Sequence, residues 1–271
     1  MPGTDAVPIR NTVMILSGTA FTFHGCNSAR CVCCDRILFM ENVKTILASA
    51  SPRRQQMLSW ILPEFESLPA DIDETPLPGE YPVPYCQRMA LGKALHCSGS
   101  LTEGSFVIGS DTTVYINHRI LGKPRDEDHA EEMLKMLNNK EHLVCTAVAI
   151  GNLKDGKLRV LQSVSETVVR FRAMSRDEIL DYVRSGDPMG KAGAYAIQNH
   201  EFHPVESIRG CYACVVGFPL CHVGALFHRF GYDTFPQIRS ACAAGTGMRC
   251  SYVPAVNAKM LEFPGTNGVD L

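Results

Sequence analysis

Apolar positions along the 271-residue chain take on a readable spacing near Val43, and the elements follow from there. Val43 to Ser49 (VKTILAS) is a short run of β-type residues ending in small ones, which predicts a strand. Ser51-Pro52 and RRQQMLSWIL come next. Pro52 suits a first helical position, where its missing N–H would have no partner, and Ser51 is a candidate N-cap. The reading is strand, tight turn, helix. Pro63 to Pro84, rich in proline and acids, predicts a strand and a loop. Val83 to Cys97 shows helical spacing, with Met89, Leu91 and Leu95 among polar residues. Ser105 to Gly109 reads as a buried strand. Thr112 to Ile116 continues extended, and Asn117-His118 turns the chain back to Ile120 and Leu121.

Asp126 to Leu137 predicts an amphipathic helix, with Ala130, Met133, Leu134 and Leu137 on one side. Leu143 to Gly151 and Leu158 to Arg172 read as long strands, joined by a hairpin at Lys154-Asp155-Gly156. Ser175 to Arg184 predicts a helix, its Ser175 and Glu178 spaced as a capping box. Gly217 to Phe230 predicts the last core helix. Beyond Tyr232 the periodicity fades. The chain therefore divides into a poorly ordered extension (1–42), one α/β domain (43–232) and a loosely held tail (233–271).

Composition narrows the class. Twenty-six Lys and Arg against 28 Asp and Glu give a net charge of −2, so no global basic field advertises a nucleic acid polymer. No apolar run approaches the roughly 18 residues of a membrane span. Val13 to Phe23 is short and broken by polar residues, so no secretory signal is read there. Cysteines such as Cys86, Cys97 and Cys145, among 12 in the chain, are scattered singly through apolar stretches, as reduced thiols of a cytoplasmic protein would be.

Candidate chemistry is local. Ser49, Ser51, Arg53 and Arg54 fall near a helix N-terminus, where unpaired N–H groups favour an anion and two guanidiniums strengthen that preference. Asp111 follows an apolar strand in IGSDTTV, a place from which a carboxylate binds a metal or activates water. Lys123 is pinned in a turn by Gly122 and Pro124, and Asp71, Asp73 and Glu74 form an acidic loop suited to a hard cation. Together these point to a phosphate ester and a hard metal. No Walker-type run and no HExxH pair is present.

The order and spacing of several runs resemble the Maf family of nucleoside triphosphate pyrophosphatases. They are LASASPRR (Leu47 to Arg54), DIDETP (Asp71 to Pro76), RMALGKA (Arg88 to Ala94), IGSDTTV (Ile108 to Val114) and ILGKPRD (Ile120 to Asp126). HLVCTAVAI (His142 to Ile150), YVRSGDPMGKAGAYAIQ (Tyr182 to Gln198) and VVGFPL (Val215 to Leu220) follow. The resemblance implies an α/β fold with a mixed sheet, flanking helices and a cleft between two lobes, similar to inosine triphosphatases. It also implies a homodimer, a magnesium, manganese or similar divalent ion, and cleavage of a nucleoside triphosphate to monophosphate and pyrophosphate. By position, Asp111 takes the proton-acceptor role and Ser49, Arg54, Lys93 and Lys123 hold the triphosphate. Glu74 and Asp111 face the metal.

Arg53, Thr112 and Gln198 occupy the positions that distinguish the family's dTTP/UTP branch from its 7-methyl-GTP branch, and all three favour the former. Gln198 offers a donor and an acceptor for a uracil-type edge. A 7-methyl-GTP pyrophosphatase and a nucleotide-binding regulator of cell division are the alternatives. Three positions depart from the family pattern: Gly190, Cys211 and Cys214. The last two form a CxxC spacing, and His24, Cys26, Cys31, Cys33 and Cys34 cluster near the N-terminus. The CxxC lacks the second pair of a zinc site and the βαβ context of a thioredoxin-like one, and the N-terminal cluster is irregularly spaced.

Overall fold

The computed structural model describes residues 14–16, 19–21, 43–232, 235–248, 250, 258 and 260–264. Strands β1 (Met14–Leu16) and β2 (Thr19–Phe21) pair with each other as a separate antiparallel ribbon. The cysteine and histidine cluster at 24–34, and most of the reading of 1–42 as an extension, lie outside the described residues.

The domain begins with β3 (Thr45–Ala48), α1 (Pro52–Ser59), β4 (Glu66–Ser67), α2 (Pro82–Cys97), β5 (Phe106–Ile116) and β6 (Arg119–Leu121). It continues with α3 (Glu127–Leu137), β7 (Glu141–Lys154), β8 (Lys157–Phe171), α4 (Arg176–Arg184) and β9 (Val205–Arg209). Helices α5 (Tyr212–Val216), α6 (Leu220–Arg229) and α7 (Phe235–Thr246) precede β10 (Met260–Pro264). Eight strands form one mixed sheet in the order β10-β8-β7-β5-β3-β4, with β6 on β5 and β9 on β8. Only β3 pairs in parallel, with β4 and β5; the other pairs are antiparallel.

Alternation along β5 sends its side chains to two different cores. Val107 and Tyr115 pack under α2 with Ile46, Ala90 and Ala94. Phe106 and Ile108 pack on the other face with Leu58, Phe218 and Phe227. Farther along that face, Val114 joins Leu134, Phe171 and Tyr182 beneath α3 and α4. Each fully buried side chain such as Phe106 contributes about 2–3 kcal/mol, whereas an exposed pair such as Arg209–Glu141 is screened by solvent and adds little. Apolar packing therefore holds the sheet.

Local chemistry explains most boundaries. The β7–β8 hairpin turns at Asp155 and Gly156, both with positive φ. The capping box at Ser175 and Glu178 forms. Elsewhere the structure differs from the sequence reading. Ser51 precedes α1 in extended geometry, but its side chain makes no cap bond. The helix predicted over 217–230 begins only at Leu220, because Gly217 turns left-handed at φ 114° and closes the short helix α5 (Tyr212–Val216), which the sequence reading did not contain. Residues 233–271, read as a loose tail, carry α7 and the strand β10, which pairs with β8 from Met260 to Pro264. Among the described residues no helix is long and apolar enough to cross a membrane.

Candidate active site

Strand β5 is flanked on one side by β3 up to Gly109, and by β6 only from Val114 onward. Between them, Ser110 to Thr113 present a strand edge with no neighbouring strand on that side. A cleft of ≈ 500 Å³ occupies this interruption. Because the edge is open, residues from both faces of β5 reach the cleft. Asp111 comes from the α2 face and Thr112 from the opposite one. Asp111 therefore lies inside a strand rather than at its end. The strand survives this polar stretch because its polar groups are matched: Ser110 Oγ donates to Ala147 O at 3.0 Å, and Asp111 is paired with a lysine.

The nine residues to which the family resemblance gives a role all line this one cleft: Ser49, Arg53, Arg54, Glu74, Lys93, Asp111, Thr112, Lys123 and Gln198, and Ser51 lines it too. Asp71 and Asp73 do not line it; Asp73 Oδ1 instead accepts from the Thr75 amide at 2.8 Å.

At its floor is a charge cluster whose centre, Lys93 and Asp111, is buried. Lys93 Nζ lies 2.7 Å from Asp111 Oδ1 and 2.8 Å from Glu74 Oε1, and Lys123 Nζ lies 3.1 Å from Glu74 Oε2. Lys93 is 7% exposed and Asp111 8%, so neither charge is tolerable there without the other. Gly109 makes the pairing possible. A Cβ at this position would stand 2.1 Å from Ala90 O, so only glycine lets α2 approach close enough to deliver Lys93. Burial acts most strongly on Glu74 and pushes its pKa up, but the bonds and charges of Lys93 and Lys123 outweigh it and hold the group below the ordinary carboxylate range. Tyr85 Oη donates to Glu74 O at 2.8 Å and so fixes the acidic loop on α2.

Arg54 is engaged differently. Its Nε donates to Gly217 O at 3.0 Å, Nη1 to Ser110 O at 2.7 Å and Nη2 to Thr112 Oγ1 at 3.0 Å. Burial pulls its pKa below the usual arginine value, with the Asp111 charge opposing. The guanidinium satisfies the open edge of β5 at Ser110 and ties α1 to the turn at Gly217, leaving one N–H on each Nη for a ligand. Thr112 Oγ1 is in turn 3.0 Å from Thr146 Oγ1, which donates to Cys214 O at 2.7 Å. Ser49 is buried and its Oγ accepts from the Ser51 amide at 3.2 Å, so it shapes the loop as well as lining the cleft. Arg53 is half-buried and has no hydrogen bond among the described residues.

The Maf-like protein family matches residues 44–230 of this chain. The chain belongs to that family. A dTTP/UTP pyrophosphatase of Geobacter sp. (strain M21) is 47% identical over 184 residues, covering 68% of this chain and 94% of the relative. The dTTP/UTP pyrophosphatase of Pelotomaculum thermopropionicum is 40% identical over 188 residues, covering 69% and 97%. Among solved structures, the Staphylococcus aureus Ham1 protein matches at 15% identity and a TM-score of 0.33, over 47% of this chain and 71% of that one. The Coxiella burnetii HAM1 protein matches at 12% and 0.34, over 76% and 100%. The α/β assignment rests on the elements described above rather than on these two likenesses.

One further cation of this Maf-like cleft has no role in the sequence reading. Lys191 lines it, held by Asp187 through Oδ1 at 3.1 Å and through the backbone carbonyl. Tyr182 Oη donates to Asp187 Oδ2 at 2.7 Å, so this loop is anchored on α4. The i, i+4 spacing of Asp187 and Lys191 inside a matched run was the available signal. Tyr195 also lines the cleft and is fixed at 2.7 Å from His142 Nε2.

Proposed function

We propose that this Maf-like protein is a nucleoside triphosphate pyrophosphatase acting on dTTP and UTP. The observation that carries the reading is the convergence of Arg53, Arg54, Lys93, Lys123 and Lys191 on one cleft that also contains Asp111 and Glu74. A triphosphate carries about four negative charges, and several cations are needed before an oxygen nucleophile can approach. The names and high coverage of the relatives point the same way.

In this reading the triphosphate is bound along the cationic wall, with Lys123 and Arg53 reaching it from the solvent side and Arg54 held in place by its three hydrogen bonds. Asp111 Oδ1 is taken by Lys93, while among the described residues Oδ2 accepts from the Thr113 hydroxyl alone, at 3.3 Å. Oδ2 is thus the oxygen available to accept a proton from water. The water oxygen bonds to the α-phosphorus, the bond from that phosphorus to the bridging oxygen breaks, and pyrophosphate leaves with the electron pair. The proton passes to Asp111. Lys93 neutralises the carboxylates between turnovers and the phosphates during one.

A divalent cation fits the same pair of carboxylates, since a single ammonium already reaches both Glu74 and Asp111. Among the described residues no three His, Cys, Asp or Glu side chains gather into a closed metal centre. Phosphate oxygens and water would complete the shell, as magnesium prefers. Such an ion offsets phosphate charge and lowers the pKa of a bound water.

Arg53 and Gln198 line both this cleft and the depression beside it, and we assign that end to the base, in keeping with a pyrimidine preference over 7-methyl-GTP. The intact Asp111–Lys93–Glu74 cluster favours catalysis over a purely regulatory binder. We also propose a cytoplasmic homodimer, which light scattering and fractionation would check. The test of function is pyrophosphate release from dTTP, UTP, the other common triphosphates and 7-methyl-GTP under metal titration. Faster release from dTTP and UTP is expected. Preference for 7-methyl-GTP, or binding without release, would overturn the reading.

A further inference from the structure

Four cysteines from separate parts of the sequence line one small cavity of ≈ 50 Å³ on the side of α5 away from the catalytic cleft. Cys211 precedes α5, Cys221 lies in the first turn of α6, Cys242 is on α7 and Cys250 follows it. Cys211 and Cys221 are buried, Cys242 is half-buried and Cys250 is exposed. The four thiols of this cavity thus run from buried to solvent-exposed. Arg239 also lines it, and its Nη2 donates to Cys250 O at 3.0 Å, holding that residue over the cavity mouth. Cys214, the other half of the CxxC spacing, is not part of this group; its thiol donates to Ser165 O at 3.2 Å in the core.

We propose that Cys221 and Cys250 are a thiol–disulfide site, closed by a small disulfide oxidant of the glutathione type and opened by thiols. The exposed Cys250 thiolate attacks one sulfur of the oxidant, forming a mixed disulfide and releasing one thiol. The Cys221 thiolate then attacks the Cys250 sulfur, the internal disulfide forms, and the second thiol leaves. Two protein thiols are oxidised, one disulfide is reduced, and two protons pass to the two leaving thiolates.

Cys221 is favoured over the two other candidates by its surroundings. Burial raises its pKa, but the Arg239 guanidinium works in the opposite direction there and promotes the attacking thiolate. Burial leaves Cys242 at about 11 and Cys211 at about 12. Among the described residues these sulfurs do not form a metal-binding group, which favours redox chemistry over a structural zinc ion. The bond would fasten the segment after α7 to the helix that follows the Gly217 turn.

The test treats the reduced full-length chain with oxidised glutathione and maps disulfides by mass spectrometry without reduction. Arg229, Arg239 and Arg249 place Cys221, Cys242 and Cys250 on different tryptic peptides. A link between the peptides carrying Cys221 and Cys250 is expected, absent in both Cys221→Ser and Cys250→Ser and retained in Cys211→Ser. The oxidised parent should melt roughly 3–10 °C above its reduced form, and reductant should erase the difference. A glutathione adduct that stops at Cys250, a bond from Cys250 to Cys242, or protection of all four thiols from alkylation by zinc would each overturn the proposal.

Discussion

Replacing Gly109 with alanine adds a single methyl group outside the cleft and should nevertheless disable the site. The new carbon would lie 2.1 Å from Ala90 O, 2.7 Å from Ala94 N and 3.1 Å from Ala94 Cβ. The two closest atoms are helix backbone, so no side-chain rotation relieves the clash. Reaching an ordinary 3.4 Å contact requires α2 to recede by about 1.3 Å, the difference between the two separations. Lys93 immediately precedes Ala94 and moves with it. Its 2.7 Å bond to Asp111 Oδ1 would open to about 4.0 Å, beyond hydrogen-bond reach. A shift of that size at a catalytic pair costs on the order of 10²-fold in rate. Overpacking costs a further ~1–3 kcal/mol of stability, a drop of roughly 2–10 °C in thermal midpoint. Calorimetry and pyrophosphate release on Gly109→Ala measure the two effects side by side. A variant that melts and turns over like the parent would show that α2 is not held at β5 by this contact.

Arg54→Met should lower stability by about 2–4 kcal/mol, because Ser110 O and Gly217 O lose their guanidinium donors, and denaturant midpoints would show it. A loss confined to nucleotide affinity would assign Arg54 to the ligand alone. Arg53→Trp removes no internal hydrogen bond, so it should leave the melting point within ~2 °C while shifting relative turnover of dTTP, UTP and 7-methyl-GTP. Unchanged ratios would remove Arg53 from the selectivity residues. Burial pulls His142 and His222 from the ordinary 6.5 to about 4. The unfolded chain binds those protons first as pH falls, so the stability involved is complete above about 6.5 and lost toward pH 4, by about 3 kcal/mol for each group. Denaturation midpoints should therefore fall between pH 7 and 4.5, and a flat profile would contradict the burial of both rings as neutral groups.

Much of this fold was legible because local chemistry and tertiary context agree. Asp155-Gly156 turn a hairpin, and Ser175 with Glu178 start a helix, wherever they are placed. The site residues were legible through matched runs, and the structure adds why they meet: β3 stops at Ala48 and leaves the edge of β5 open. What stayed hidden depended on partners distant in sequence. Asp111 looked like a strand end because a carboxylate inside a strand is costly, and only Lys93 on another element removes that cost. β10 was hidden because Met260–Pro264 becomes a strand only by lying along β8. β9 alternates weakly, being mostly exposed at the edge of β8, so periodicity gave no sign of it. The division of labour between Arg53 and Arg54 was equally unreadable, since it depends on carbonyls at Ser110 and Gly217.

The central claim is that Asp111 accepts the proton of the attacking water in a cleft built for a triphosphate. Asp111→Asn keeps the shape of the side chain and removes the base, so single-turnover pyrophosphate release from bound dTTP tests it most directly. The account predicts a fall on the order of 10²–10⁴ in rate with nucleotide still bound. Release within a few-fold of the parent would contradict it.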